Sequence, residues 1–151
     1  MVINYIPLAT AFIGTTIAAI WDLKTTEVPE QLPYAMIVIA LLFYSYQSIV
    51  DWSFWPIVNS LIYGLAFLAF GISMYYLGQW GGADALILSS LGFLLPVAPK
   101  VFESQILFPF PISYFINLFI VGAVYMLLYA FIFALINRKI FSRFAADLKT
   151  T

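Results

Sequence analysis

Long apolar runs, broken by short polar turns, decide what this sequence can become. Residues 3–21, 32–49, 54–77 and 112–136 read as helical spans, because about 20 helical residues cross a hydrocarbon core about 30 Å thick. One more apolar run, residues 83–96 and the fourth in chain order, is shorter. Only 9% of the residues are charged and 64% are hydrophobic, whereas a soluble domain carries roughly 25% charge. Too few polar groups exist to cover the surface, so the solvent around most of the chain is the lipid bilayer. The expectation is an all-α, multi-pass protein of the cell membrane, a polytopic bundle of about five transmembrane helices.

The residue inventory narrows the chemistry. There is no cysteine and no histidine, which excludes thiolate and Ser-His nucleophiles and argues against a metal site. A net charge of −1 argues against nucleic acid as a partner, which needs a basic face. Carboxylates, lysine, hydroxyls and backbone remain, with no cofactor expected. The N-terminal run lacks the basic segment and small-residue cleavage site of a secretory signal, and reads instead as the first span.

Charge also sets the expected orientation. Lys24 lies in the first connector, and Arg138, Lys139, Arg143 and Lys149 lie in the tail, all on one face of a five-span chain. Lys100 falls on the other. The positive-inside rule then places the N-terminus outside and the tail in the cytoplasm. Residues 1–137 form the expected helical core, and residues 138–151 a basic tail on the membrane surface.

Two aspartates stand out. Asp22 closes the first run, and Asp84 opens the fourth within "GQWGGADALILSSLGFLLP". Two spans separate them, so they emerge on the same, cytoplasmic, side. Acids at membrane boundaries are costly and functional by default. Two neighbouring carboxylates suit peptide hydrolysis: the ionised one takes a proton from water, and the protonated one hydrogen-bonds the scissile carbonyl. A helix N-terminus favours Asp84 as the base, and a helix C-terminus favours Asp22 as the acid. Gly78, Gly81 and Gly82 allow unusual backbone and leave room for an extended substrate beside Asp84. Each feature also has a plainer reading. Asp84 as a helix cap, Asp22 as an interfacial residue and the glycines as turn formers all fit. Glu27, Glu30 and Lys24 fit solvated loop charges, Gly64 and Gly71 with Ala66 and Ala69 fit close helix packing, and Asp51 fits a cap.

The pair "WDLKTTEVPEQL" and "GGADALI", with "FPFPISYFINLF…LLYAFIFALINRK" further on, resembles the archaeal preflagellin and type IV prepilin peptidases, membrane aspartic proteases of the GxGD type. The resemblance covers roughly residues 5 to 140. It implies that Asp22 and Asp84 are the catalytic pair, and that the substrates are prepilin-like proteins cut behind a short basic leader at the cytoplasmic face. Gly81 and Gly82 would border the substrate, and Glu27 or Glu30 would attract its basic leader. The sequence departs from the family pattern at Ala83, in place of the second motif glycine, and at Leu86, where many members carry lysine. Members usually have six spans, where five are legible here, so a shortened, non-catalytic relic of the family is one alternative. A proton-relay membrane transporter component is another, but a relay buries its acids near the midplane, and here both lie toward one face.

Overall fold

The computed structural model describes residues 5–98 and 108–136. Five α-helices follow in order: α1 (Ile6–Thr25), α2 (Gln31–Val50), α3 (Trp55–Tyr76), α4 (Gly82–Leu94) and α5 (Phe110–Ile136). Among the described residues there is no strand. Four helices are long and apolar enough to cross a membrane, and α4 is the short exception. Expected and observed ends agree to within a few residues, the largest differences being at α1, which starts and ends later. Asp22 therefore lies inside the last turn of α1 rather than after it. The expected tail, with Arg138, Lys139, Arg143 and Lys149, and the loop lysine Lys100 lie outside the described residues.

Prolines mark the starts. Pro7, Pro33, Pro56 and Pro111 each fall in the first turn of a long helix. There a missing N–H costs nothing, because the first amides have no intrahelical acceptor. Asp51 was expected to cap a helix. It is the C-cap of α2, its backbone N–H donating to the Gln47 carbonyl at 2.9 Å, and the first amides of α3 are met by serines. Ser48 Oγ accepts from Ile57 N–H at 3.1 Å and Ser53 Oγ from Trp55 N–H at 3.4 Å.

The chain divides into two compact units at Pro111. In the first, α4 is the central helix. It packs on α3, α2 and α1, and every residue from 88 to 96 is buried. Close approach between α3 and α4 depends on glycine. A Cβ on Gly71 would come within 2.7 Å of Ala85 Cα, and one on Gly92 within 2.6 Å of the Tyr63 carbonyl oxygen. Gly64 packs against the Phe93 ring. Gly64 and Gly71 thus serve the close packing expected of them, whereas Ala66 and Ala69 are exposed and do not. In the second unit α5 is apolar all round, and its side chains from Ile116 to Phe133 are exposed, as befits a helix whose solvent is lipid. Tyr125, Tyr129 and Phe133 stack along one side, with ring centroids 6.4 and 6.2 Å apart.

Gly71→Ala and Gly92→Ala are expected to destabilise the bundle by about 1–3 kcal/mol each, the usual cost of overpacking. The obstructing atoms include backbone, which no rotamer change can move. Thermal unfolding in detergent measures it.

Candidate active site

The first candidate residue is placed by the end of α1. Asp22 lies in its last turn, and its backbone carbonyl accepts Thr26 N–H at 2.8 Å. Thr26 closes the helix in the left-handed region, φ 58°, which is unusual for a β-branched residue. Thr25 Oγ donates to the Glu27 carbonyl at 2.8 Å and tightens the connector. Asp22, Glu27 and Glu30 are all exposed. Glu30 is the residue before α2 and makes no side-chain capping bond. The Asp22 carboxylate makes no hydrogen bond among the described residues.

The second is placed by the turn into α4. Gly78 takes φ 68°, and Gln79 N–H returns to the Met74 carbonyl at 3.0 Å. The Trp80 ring stacks edge-on against Phe70 of α3, 5.6 Å between centroids. Gly81 is extended, φ −74° and ψ 158°. Its N–H donates to Asp84 Oδ2 at 3.0 Å, half of a capping box, since glycine has no side chain to reciprocate. The capping contact expected on the plainer reading is therefore present. It engages one carboxylate oxygen of a side chain that stays exposed. Of the glycines, only Gly78 uses a left-handed backbone. Gly81 matters for space: a Cβ there would sit 3.3 Å from Asp84 Oδ2. At Gly82 a Cβ would meet only Tyr75, at 3.9 Å.

Met36 of α2 relates the two ends. Its side chain fills the space over Gly14 of α1, and its sulfur accepts from Ser90 Oγ of α4 at 3.7 Å. A second α2–α4 contact, Tyr44 to Leu94, shows that α4 runs in the same sense as α2. Since α2 starts where α1 ends, the start of α4 and the end of α1 share one end of the bundle. Asp22 lies eight residues past Gly14, about 12 Å along α1, and Asp84 six residues before Ser90, about 9 Å along α4, at 1.5 Å per residue. Both aspartates thus stand beyond the Met36 level on the same side. Asp22 comes one turn after buried Ala18, and Asp84 one turn before buried Leu88. A four-residue step turns a side chain by only about 40°. Asp22 therefore ends the buried stripe of α1, Asp84 lies one turn before the continuously buried part of α4, and both side chains are exposed. Glu27 and Glu30 join them at this end through the short connector. Among the described residues no group of three or more carboxylates could hold a metal ion.

Sequence reasoning missed Met36, and also Tyr44 and Ser60, whose hydroxyls serve the far end of α4. One signal was available: a helix too short to cross needs donors for its last carbonyls inside the bilayer.

Asp22→Asn and Asp84→Asn are expected to fold as the parent does, within about 0.5 kcal/mol, as for exposed positions generally. Asparagine retains an oxygen that can accept Gly81 N–H. Unfolding midpoints in detergent check this.

The sequence profile described as the type IV leader peptidase family matches residues 9–137. A preflagellin peptidase of Methanococcus voltae is 36% identical over 91 residues, 60% of this chain and 39% of the relative. The prepilin peptidase EppA of Methanothermobacter thermautotrophicus is 22% identical over 148 residues, 92% of this chain and 38% of the relative. A preflagellin peptidase of Methanocaldococcus jannaschii is 30% identical over 84 residues, 56% of this chain and 36% of the relative. The matched part of the chain thus spans less than two-fifths of the length of these relatives. No solved structure matches. With four helices of spanning length, the chain is a multi-pass membrane protein.

Proposed function

We propose, from the premise that this chain belongs to the type IV leader peptidase family, that it is a membrane-embedded aspartic endopeptidase. Its substrates are prepilin- or preflagellin-like subunits, from which it removes short basic leaders. The observation that carries this reading is the placement of Asp22 and Asp84 at one end of the bundle, both exposed there. The basic residues of the first connector and tail put that end in the cytoplasm, with the N-terminus outside.

Asp22 and Asp84 activate one water between them. The ionised member, Asp84, takes a proton as the water oxygen attacks the scissile carbonyl carbon. The protonated member, Asp22, hydrogen-bonds the carbonyl oxygen as negative charge develops there. Collapse of the tetrahedral intermediate breaks the C–N bond, and the proton gained by Asp84 leaves on the new amine. The pair acts as a unit, so the roles belong to its microstates as much as to either residue. The extended backbone at Gly81 and the open space at Gly82 let a substrate strand run beside Asp84. Glu27 and Glu30, exposed in the connector next to Asp22, attract the basic leader.

Asp22→Asn and Asp84→Asn are each expected to abolish cleavage of a prepilin-type peptide in reconstituted membranes while the proteins remain folded. Wild-type rates in Asp84→Asn would overturn the mechanism.

Glu27→Gln or Glu30→Gln is expected to raise the KM for a basic-leader substrate at low salt, and the difference should shrink as salt rises. Exposed charge contacts contribute about 0–1 kcal/mol each and are screened, so the expected rise is within about fivefold. Steady-state kinetics of both variants at two ionic strengths provide the check.

A further inference from the structure

The last carbonyls of a helix have no intrahelical donor, and within a bilayer water does not replace it. α4 ends in that situation, since residues 88 to 96 are all buried. Three of the four carbonyls of its final turn nevertheless have a donor. Leu91 O accepts Leu95 N–H at 2.9 Å. Phe93 O accepts from Ser60 Oγ at 2.7 Å, and Leu94 O from Tyr44 Oη at 2.8 Å. Tyr44 and Ser60 are themselves buried, and come from α2 and α3 respectively. The two helices of one hairpin therefore grip the end of α4 from two directions. At the other end Gly81, Gly82 and Asp84 are exposed, so the buried end is the helix's fixed point. Asp84 lies ten residues before Leu94, about 15 Å along a continuous helix.

We infer that Tyr44 and Ser60 are positioning residues for Asp84: by holding the C-terminal carbonyls of α4, they set the depth and rotation at which the helix presents its carboxylate. Neither touches the reacting atoms. The inference deepens the peptidase reading, and its structural half can be tested without any catalysis.

The sequence contains no cysteine, so nitroxides placed through Leu23→Cys and Asp84→Cys report the α1–α4 separation at the aspartate end. The protein is measured in lipid nanodiscs by pulsed and continuous-wave electron spin resonance. A narrow distance distribution is expected in the otherwise native background. Tyr44→Phe and Ser60→Ala are expected to widen it, and the two together to add a second, displaced population. Ser89→Ala is the control. Ser89 Oγ also makes a buried bond between α4 and α3, to Gly64 O at 3.1 Å, but it does not serve the helix end, and it should leave the distribution unchanged. A distribution unaltered by either cap variant, or altered equally by Ser89→Ala, overturns the inference. With both aspartates intact, Tyr44→Phe should lower kcat by about threefold, the size of a typical interhelical hydrogen bond in a membrane, with KM unchanged. An unchanged kcat overturns the inference as well. If the parent fails to cleave any leader peptide, the peptidase reading falls, and the spin-label distances still decide whether Tyr44 and Ser60 position the helix.

Discussion

A helix that stops inside a lipid-embedded bundle carries polar carbonyls into a place with no water. Everything distinctive about this protein follows from how that problem is solved. The end of α4 is buried, and its carbonyls accept from Leu95, Ser60 and Tyr44. Each side-chain donor must stand at a particular height on its own helix, which fixes α2 and α3 relative to α4. Interhelical hydrogen bonds of this kind contribute modestly, about 0.6 kcal/mol on average, but an unpaired carbonyl in the same place costs several times more. The constraint acts through what would be lost.

Packing completes what the hydrogen bonds begin. Lipid is as apolar as the side chains, so no hydrophobic drive pushes helices together in a bilayer, and contact area must supply the attraction. Gly64 and Gly71 on α3, with Gly92 on α4, bring the two backbones close. Met36 then bridges α1 and α4 from α2 with a single flexible side chain, a residue suited to irregular gaps. The aspartate end is different in kind. Asp84 is tied by one bond to Gly81, and the Asp22 carboxylate makes no hydrogen bond among the described residues. The aspartate end is exposed and lightly held, while the opposite end of α4 is buried and held by bonds to three of its last carbonyls.

Much of this was legible beforehand. Run length gave the four long helices, the short fourth run gave α4, and span parity put Asp22 and Asp84 on one side. That parity needs only chain order, which a sequence states directly. Rotation about each helix axis and register between helices are not stated there. Gly64 and Gly71 meet α4 while Ala66 and Ala69 meet lipid, although all four are small residues in one apolar run. The bonds of Tyr44 to Leu94 and Ser60 to Phe93 span 50 and 33 residues, and nothing local joins them. Asp51 was legible as a cap and closes α2, but the residue type did not say that nearby serines would serve the free amides of α3.

Anchoring α4 at one end and placing a carboxylate at the other also restricts how such a chain can change its length. Each residue added to or removed from α4 moves Asp84 by about 1.5 Å and swings it by about 100°. A single insertion would swing the carboxylate to a different face of the helix. Three or four residues together would restore its bearing, but shift it by about 5 Å in depth. Surface loops drift in length through small, nearly neutral steps, whereas this segment has none available. Its span between Asp84 and the bonded end is therefore expected to evolve as a fixed ruler, with insertions and deletions displaced to the connectors on either side.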